Sequence, residues 1–216
     1  MSIRVLFIDL DGVLRRWPDS DEALEQTHGL PAGTLRRIAF APELLLPAIT
    51  GQISDEAWRA NIAARLGEAH HGLDAGEVTR QWSEPAGKVD LEVVSLLQAR
   101  APGLRLILLS NATSRLDADL RHLGIATLFD QVINSSALGV VKPDPAIYRA
   151  ALRLARVEAS EAAFIDDSIG NVEAAIQLGI RSHCFRGAPH LRIFLQSIQA
   201  LQPDGAPADS DRGAQG

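Results

Sequence analysis

The chain opens on an apolar run, Val5-Leu6-Phe7-Ile8, that breaks into two carboxylates and a glycine at Asp9-Leu10-Asp11-Gly12. A strand buried on both faces reads as a continuous apolar run, so this stretch predicts a central strand of a parallel sheet. Similar runs recur at residues 104–109, 162–165 and 180–185, with a shorter one at 131–133. Between them, apolar positions recur at helical spacing. Residues 91–101 stop at Pro102-Gly103, and Ser114 is placed to cap a helix carrying Leu116, Leu120 and Leu123 that ends at Gly124. Asp144-Pro145 opens a helix with Ile147, Ala151 and Leu154 inward. Residues 168–178 follow with Ile169, Val172 and Ile176 inward, and residues 189–201 form a last amphipathic helix. Its apolar face has two possible seats, the core or a second subunit, which leaves a homodimer open. Strand and helix in alternation predict an α/β fold with helices packed on a parallel sheet.

Residues 14–87 have a different character, with no comparable strand. Pro31 opens a helix with Leu35 and Ile38 inward, and Ser54 is an N-cap followed by Asp55 and Glu56. Trp58, Ile62 and Leu66 recur every four residues, and Gly67 closes that helix. Asp74 and Glu77 resemble a capping box ahead of Val78 and Trp82. We expect a helical bundle inserted after the first strand, with Trp58 and Trp82 in its core and Trp17 facing a pocket. The apolar linker at 40–47 either closes over the sheet edge or packs insert against core. The division expected is a core of residues 1–13 and 88–202, a helical insert at 14–87, and a disordered tail at 203–216, rich in Pro, Gly, Ala, Asp and Ser.

Composition narrows the function classes. The 216 residues are 46% apolar, and a net charge of −6 argues against a nucleic-acid-binding surface. One cysteine, Cys184, excludes an internal disulfide and fits a reducing compartment, and it reads as a buried packing thiol. No apolar stretch approaches a membrane span, and no signal peptide is legible, so a cytoplasmic protein is expected. The histidines are scattered or adjacent, which does not suit a zinc site.

Three strands end in polar residues: Asp9 and Asp11, Ser110 and Asn111, Asp166 and Asp167. In an open α/β sheet these ends share the edge where ligands bind. Lys142 adds a cation, and it is one of only two lysines among 21 basic residues. Clustered carboxylates with one lysine call for another positive charge, and hard oxygen ligands suit Mg²⁺. A bound phosphoryl group would meet Lys142, Ser110 and the backbone around Asn111 and Ala112, with one carboxylate as nucleophile and Asp11 moving protons. Arg15, Arg16, Arg36 and Arg37 read as a solvated face. Asn171 either orients the metal shell or caps a turn.

These residues resemble the motifs of the haloacid dehalogenase-like (HAD) hydrolase superfamily. Asp9-Leu10-Asp11-Gly12-Val13 resembles the first motif, Leu108-Leu109-Ser110-Asn111 the second, Lys142-Pro143-Asp144-Pro145 the third and Ile165-Asp166-Asp167-Ser168 the fourth. Four in order, each at a strand end, form a specific signal. The resemblance implies a doubly wound, Rossmann-like core with an inserted helical cap. It implies Asp9 as nucleophile through an aspartyl-phosphate, Asp11 as general acid/base, and Ser110 and Lys142 as phosphoryl contacts. It also implies Mg²⁺ on the Asp9 carboxylate, the Asp11 carbonyl and a fourth-motif acid, with Asp167 the better direct ligand and Asp166 a supporting or alternative one. The stretches 51–56 and 141–148 resemble the branch of sugar-phosphate phosphatases and epoxide-hydrolase N-terminal phosphatase domains.

Within that superfamily, dehalogenases lack an acid at the position of Asp11, because a halide needs no proton. Phosphonate-cleaving relatives use a cap lysine, and residues 14–86 contain none. The expected activity is therefore Mg²⁺-dependent hydrolysis of a small phosphate ester. A β-phosphoglucomutase-like isomerase is the alternative. A catalytically silent or phospho-accepting binding protein stands behind it.

Overall fold

A computed structural model describes residues 2–17 and 21–202, so the tail expected at 203–216 lies outside the described residues. Strand β1 (Val5–Ile8) is followed by a two-residue strand, β2 (Arg15–Arg16), that pairs antiparallel with β3 (Lys88–Val89). The first strand of this ribbon, β2, lies within residues 14–87, where only helices are expected. Among the described residues, five helices lie between the ribbon's two halves: α1 (Asp21–Thr27), α2 (Thr34–Ala39), α3 (Pro42–Ile49), α4 (Asp55–Ala69) and α5 (Ala75–Ser83). They enclose apolar clusters of their own, one around Leu35, Leu66 and Val78 and one around Ala48, Trp58 and Ile62. Ser54 Oγ accepts from Ala57 N–H, and Asp74 accepts from Glu77 N–H. Glu77 turns instead to Arg80 and Gln81, so the expected capping box is only half formed. Gly67 does not close α4, which runs on through it to Ala69.

The core carries α6 (Leu91–Gln98), β4 (Arg105–Ser110), α7 (Leu116–His122), β5 (Gln131–Asn134), α8 (Ser135–Leu138), α9 (Pro145–Ala155), β6 (Ala162–Asp166), α10 (Ile169–Gln177), β7 (Arg181–Cys184) and α11 (Ala188–Ser197). The parallel sheet has the order β5-β4-β1-β6-β7, so the first strand sits in the middle. Every residue of β1 is buried, as its unbroken apolar run requires. Leu6, Ile8, Leu106 and Leu108 pack under α6, α7 and α11, while Val5, Phe7, Ile107 and Leu109 pack under α9 and α10. Helices on both faces make the fold doubly wound. The inner face of α11 docks on this core through Leu191 and Leu195, against α6.

Two helices are rotated from expectation. In α10 the buried residues are Val172 and Ala175, and Ile169 and Ile176 are exposed. In α9, Tyr148 and Ala155 are buried beside Ile147 and Ala151, and Leu154 is half exposed. The cause is polar. Asn171 donates to Asp166 from the face it shares with Val172 and Ala175, and Tyr148 Oη donates to the Asn171 carbonyl at 2.8 Å. Ser114 is also reassigned: it does not cap α7, and its Oγ accepts from Asp55 N–H in the insert at 3.0 Å.

Insert and core meet closely at α8. Ser135 Oγ donates to the Ile49 carbonyl at 2.6 Å, and a Cβ on Gly51 would lie 2.0 Å from the Ser136 carbonyl oxygen. Gly51 also has φ +72°, a left-handed backbone. Gly51→Ala should lower stability by more than the roughly 1–2 kcal/mol of a left-handed alanine. Gly103→Ala, left-handed but in open space, should show only that part. Urea midpoints of the two variants test this; equal losses would mean the close approach carries no cost.

Candidate active site

The carboxyl ends of the central strands form the site. The register sets Ile8 beside Leu108 and Ile165, so Asp9, Ser110 and Asp166 emerge at one edge. Asp9 N–H donates to the Ile165 carbonyl at 2.9 Å, which holds the residue at the strand end. Lys142 arrives from the loop between α8 and α9. Its Nζ lies 2.9 Å from Asp9 Oδ1 and 2.6 Å from Asp166 Oδ2, in a position only 4% exposed. The Asn111 side chain fixes the lysine's backbone in both directions, accepting from Lys142 N–H at 2.8 Å and donating to its carbonyl at 2.9 Å. Asn111 thus positions the lysine through its side chain.

Asp166 is fully buried and saturated. Besides Lys142, it accepts from Ser168 N–H at 2.8 Å and from Asn171 Nδ2 at 3.0 and 3.1 Å. Asp9 is different. Its Oδ1 is close enough to Lys142 for an ion pair but lacks hydrogen-bond alignment, and among the described residues no other partner fills the position. Burial, reinforced by the Asp166 charge and opposed by Lys142, pushes the Asp9 carboxyl up to about 6. Burial works against the Lys142 ammonium too, but Asp9 and Asp166 outweigh it and hold its pKa above the usual lysine value. Burial and the Asp166 charge also raise Asp167.

Oxygen atoms of Asp9, Asp166 and Asp167 lie within 4.8 Å of one another. An orphaned buried oxygen beside two further carboxylates fits a hard divalent cation such as Mg²⁺. With Asp166 saturated, Asp9 and Asp167 are the residues with oxygens left to hold it. Gly12 makes room for Asp167. A Cβ there would lie 2.0 Å from Asp167 Oδ2, and the backbone is left-handed at φ +77°.

Asp11 stands apart from this cluster. Its Oδ1 accepts from Arg15 Nε and Trp17 Nε1, each at 2.7 Å, and its Oδ2 accepts from Arg15 Nη2 at 2.9 Å. Arg15 also reaches Asp119 at 2.8 Å and lies over the Trp17 ring at 4.4 Å from its centroid. Arg15 is therefore not part of a solvated face; it is 4% exposed and fixes Asp11. Two further expectations change. Ala112 N–H donates to Ser135 Oγ and is not a free phosphoryl donor. Cys184 is half-buried, with Sγ 3.6 Å from the Asp167 carbonyl, because β7 is an edge strand. Ser110 is 1% exposed at the end of β4.

A cavity of about 190 Å³ opens between insert and sheet edge. Asp11, Asn111 and Ala112 form its core wall, and Trp17, Phe40, Trp58 and Trp82 reach it from the insert side. Leu45 and Ile49 of α3 also line it, so the apolar 40–47 stretch borders the cavity through Phe40 and Leu45, while Ile49 just beyond it meets α8. Asp9 and Lys142 do not line the cavity. Arg15, Asp119 and Asp55 were not singled out as site residues from the sequence. The spacing of Arg15 from Asp11 was the one available signal; the other two depend on tertiary contacts.

The chain belongs to the haloacid dehalogenase-like hydrolase family, whose model matches residues 3–179. It is 45% identical over 74 residues to haloacid dehalogenase-like hydrolase domain-containing protein 3 of Homo sapiens, a match covering 34% of this chain and 30% of that protein. It is 31% identical over 112 residues to the GMP/IMP nucleotidase YrfG of Escherichia coli, covering 51% of this chain and 50% of that one. The chain thus spans about a third to a half of the length of these relatives. A HAD family enzyme from Bacteroides thetaiotaomicron, crystallised with magnesium and inorganic phosphate, shares the fold at TM-score 0.68 and 22% identity, over 88% of this chain and 99% of that one. Among the described residues, no helix is long and apolar enough to cross a membrane.

Lys142→Met should leave Asp9 and Asp166 buried without a cation and cost about 3–5 kcal/mol at neutral pH. Asp9 already titrates above its ordinary 3.8, and the variant raises it further. A raised carboxyl pKa withdraws stability as pH rises, and both proteins share that withdrawal up to the parent value of about 6, so the extra loss in the variant should open above about pH 6 and close below it. Denaturation of both proteins from pH 4.5 to 8 measures it, and a loss independent of pH would contradict the charge argument.

Proposed function

We propose that this haloacid dehalogenase-like hydrolase cleaves small phosphate monoesters through an aspartyl-phosphate on Asp9, with Mg²⁺ as cofactor. The observation that carries this reading is the buried Lys142 ammonium between Asp9 and Asp166, beside Asp167. Lys142 puts one ammonium beside the carboxylate nucleophile, and the surplus of acids around it calls for a further cation where a phosphoryl group would sit. Mg²⁺ held by Asp9 and Asp167 would supply further neutralisation of the phosphoryl oxygens.

The chain's own residues account for the bond changes. An Asp9 oxygen bonds to phosphorus as the ester P–O bond breaks, and Asp11, after taking up a proton from solvent and turning an oxygen away from Arg15 and Trp17, gives that proton to the departing oxygen. Water then attacks phosphorus, Asp11 takes up a proton, and Asp9 is released with inorganic phosphate. Lys142 holds the phosphoryl charge throughout, and Ser110 stands at the same edge as a hydroxyl donor.

The presence of Asp11 favours phosphate over halide as the group displaced, since only an oxygen leaving group needs its proton. The nucleotidase relative and the fold neighbour crystallised with magnesium and phosphate point the same way. A mutase would require cations free to hold a second phosphate. The cavity's four arginines are matched to acids: Arg15 to Asp11, Arg36 to Asp21, Arg59 to Asp55 and Arg115 to Asp119. This pairing disfavours the isomerase.

With Mg²⁺, the protein should release inorganic phosphate from small monoesters, and Asp9→Asn should reduce release to background without unfolding the chain. Phosphate assays with a circular-dichroism control measure both. Full activity in Asp9→Asn would reject the assigned nucleophile, and interconversion of glucose phosphates without release would favour the mutase.

A further inference from the structure

The cavity behind Asp11 has a composition unlike the rest of the chain. The protein contains ten aromatic residues of the Phe, Trp and Tyr types. Four of them, including all three tryptophans, line this one space. Trp58 and Trp82 meet edge to face at 6.0 Å, and Phe40 meets Trp82 the same way at 6.1 Å. Trp58 is anchored by its Nε1 donating to the Ala39 carbonyl at 3.2 Å. Phe40 and Trp17 are nearly half exposed, at 46% and 47%, although large aromatics at a protein's surface usually bury more. Arg15 covers one face of Trp17.

Charge does not distinguish the cavity, because its arginines and aspartates occur in equal number and pair off. A sugar ring, recognised mainly by hydrogen bonds, would find most of these polar groups already engaged with one another. A flat ring would find aromatic edges and faces. The volume of about 190 Å³ lies below the roughly 300–1,000 Å³ of drug-sized sites, so it suits one ring system rather than an oligomer.

We propose that the leaving group of this phosphatase is a neutral alcohol bearing a flat aromatic or heteroaromatic ring, seated against Phe40 and the tryptophans while the phosphate lies at Asp9 and Lys142. The proposal rests on the phosphatase reading above. Phe40 acts as a specificity residue that touches the ring. The ring has two sources, an aryl alcohol or a nucleoside, and the probes separate them.

The test compares kcat/KM with Mg²⁺ for 2-phenylethyl phosphate, 2-cyclohexylethyl phosphate, glycerol phosphate and a nucleoside monophosphate. The phenyl ester should exceed both the cyclohexyl and glycerol esters by about tenfold or more. The nucleoside ester exceeding the phenyl one would assign a nucleoside; the reverse order would assign an aryl alcohol. Phe40→Ala and the milder Phe40→Leu should remove most of that advantage through KM, with a clearly smaller loss on glycerol phosphate. Equal rates for phenyl and cyclohexyl esters, or equal losses on all substrates, would overturn the inference. Tryptophan quenching by 2-phenylethanol, a neutral aromatic alcohol, reads the cavity without turnover. Quenching that weakens in Phe40→Leu, with no ester hydrolysed, would reject the phosphatase reading and keep the ring site. Turnover without quenching or ring preference would do the opposite.

Discussion

One ammonium group organises the catalytic edge. Lys142 is buried against two carboxylates, and neither acid is tolerable there without it. The arrangement is asymmetric in a useful way. Asp166 takes the aligned contact at 2.6 Å together with Ser168 N–H and Asn171, so it is a structural anion. Asp9 shares the same cation less closely, and its inward oxygen remains without a hydrogen-bond partner. A saturated acid is a poor nucleophile and a poor metal ligand; an unsaturated one beside a cation is suited to both. The lysine thus separates two chemically identical side chains into a support and a reactive group.

The same ammonium reaches into the fold. Asp166 holds Asn171, Asn171 offers its carbonyl to Tyr148, and these bonds set the rotation of α10 and α9 on the sheet. Hydrophobic periodicity predicts each helix's existence and approximate face. It cannot see a polar tether, so it places Ile169, Ile176 and Leu154 inward where the structure exposes them. The site therefore shapes the packing around it as much as the packing shapes the site.

Legibility from sequence followed the range of the interactions involved. The three inner strands, β1, β4 and β6, are legible because strands buried on both faces carry a local signature and polar residues terminate each of them. The Ser54 cap was readable because both partners lie within one turn. The role of Ser114 is not legible locally, because its partner, Asp55, lies 59 residues away in the insert. Arg15 was misread for a related reason. Its neighbour Arg16 is exposed, and only the fold brings Asp119 to its far side. The β2–β3 ribbon has just two residues in each strand, too few for any alternating pattern to register.

Asp11 illustrates how the insert and the chemistry are joined. Arg15 links it to Asp119, and Asp119 also holds Arg115 at 2.6 Å. Arg115 in turn donates to the carbonyls of Ser83 and Glu84, where α5 leaves the insert for β3. A continuous line of charge-assisted bonds thus runs from the proton-handling carboxylate to the root of the insert. Its last contacts are made to backbone oxygens, so they report where the chain lies rather than which side chains it carries. Any shift of the insert large enough to move the end of α5 must either stretch that line or be absorbed at Arg15. Arg15 also donates to Asp11 through two nitrogens, which constrains the direction of the carboxylate as well as its position. The orientation of Asp11 is consequently a property of how the insert is seated, and the aromatic cavity that Asp11 helps to wall is shaped by the same seating.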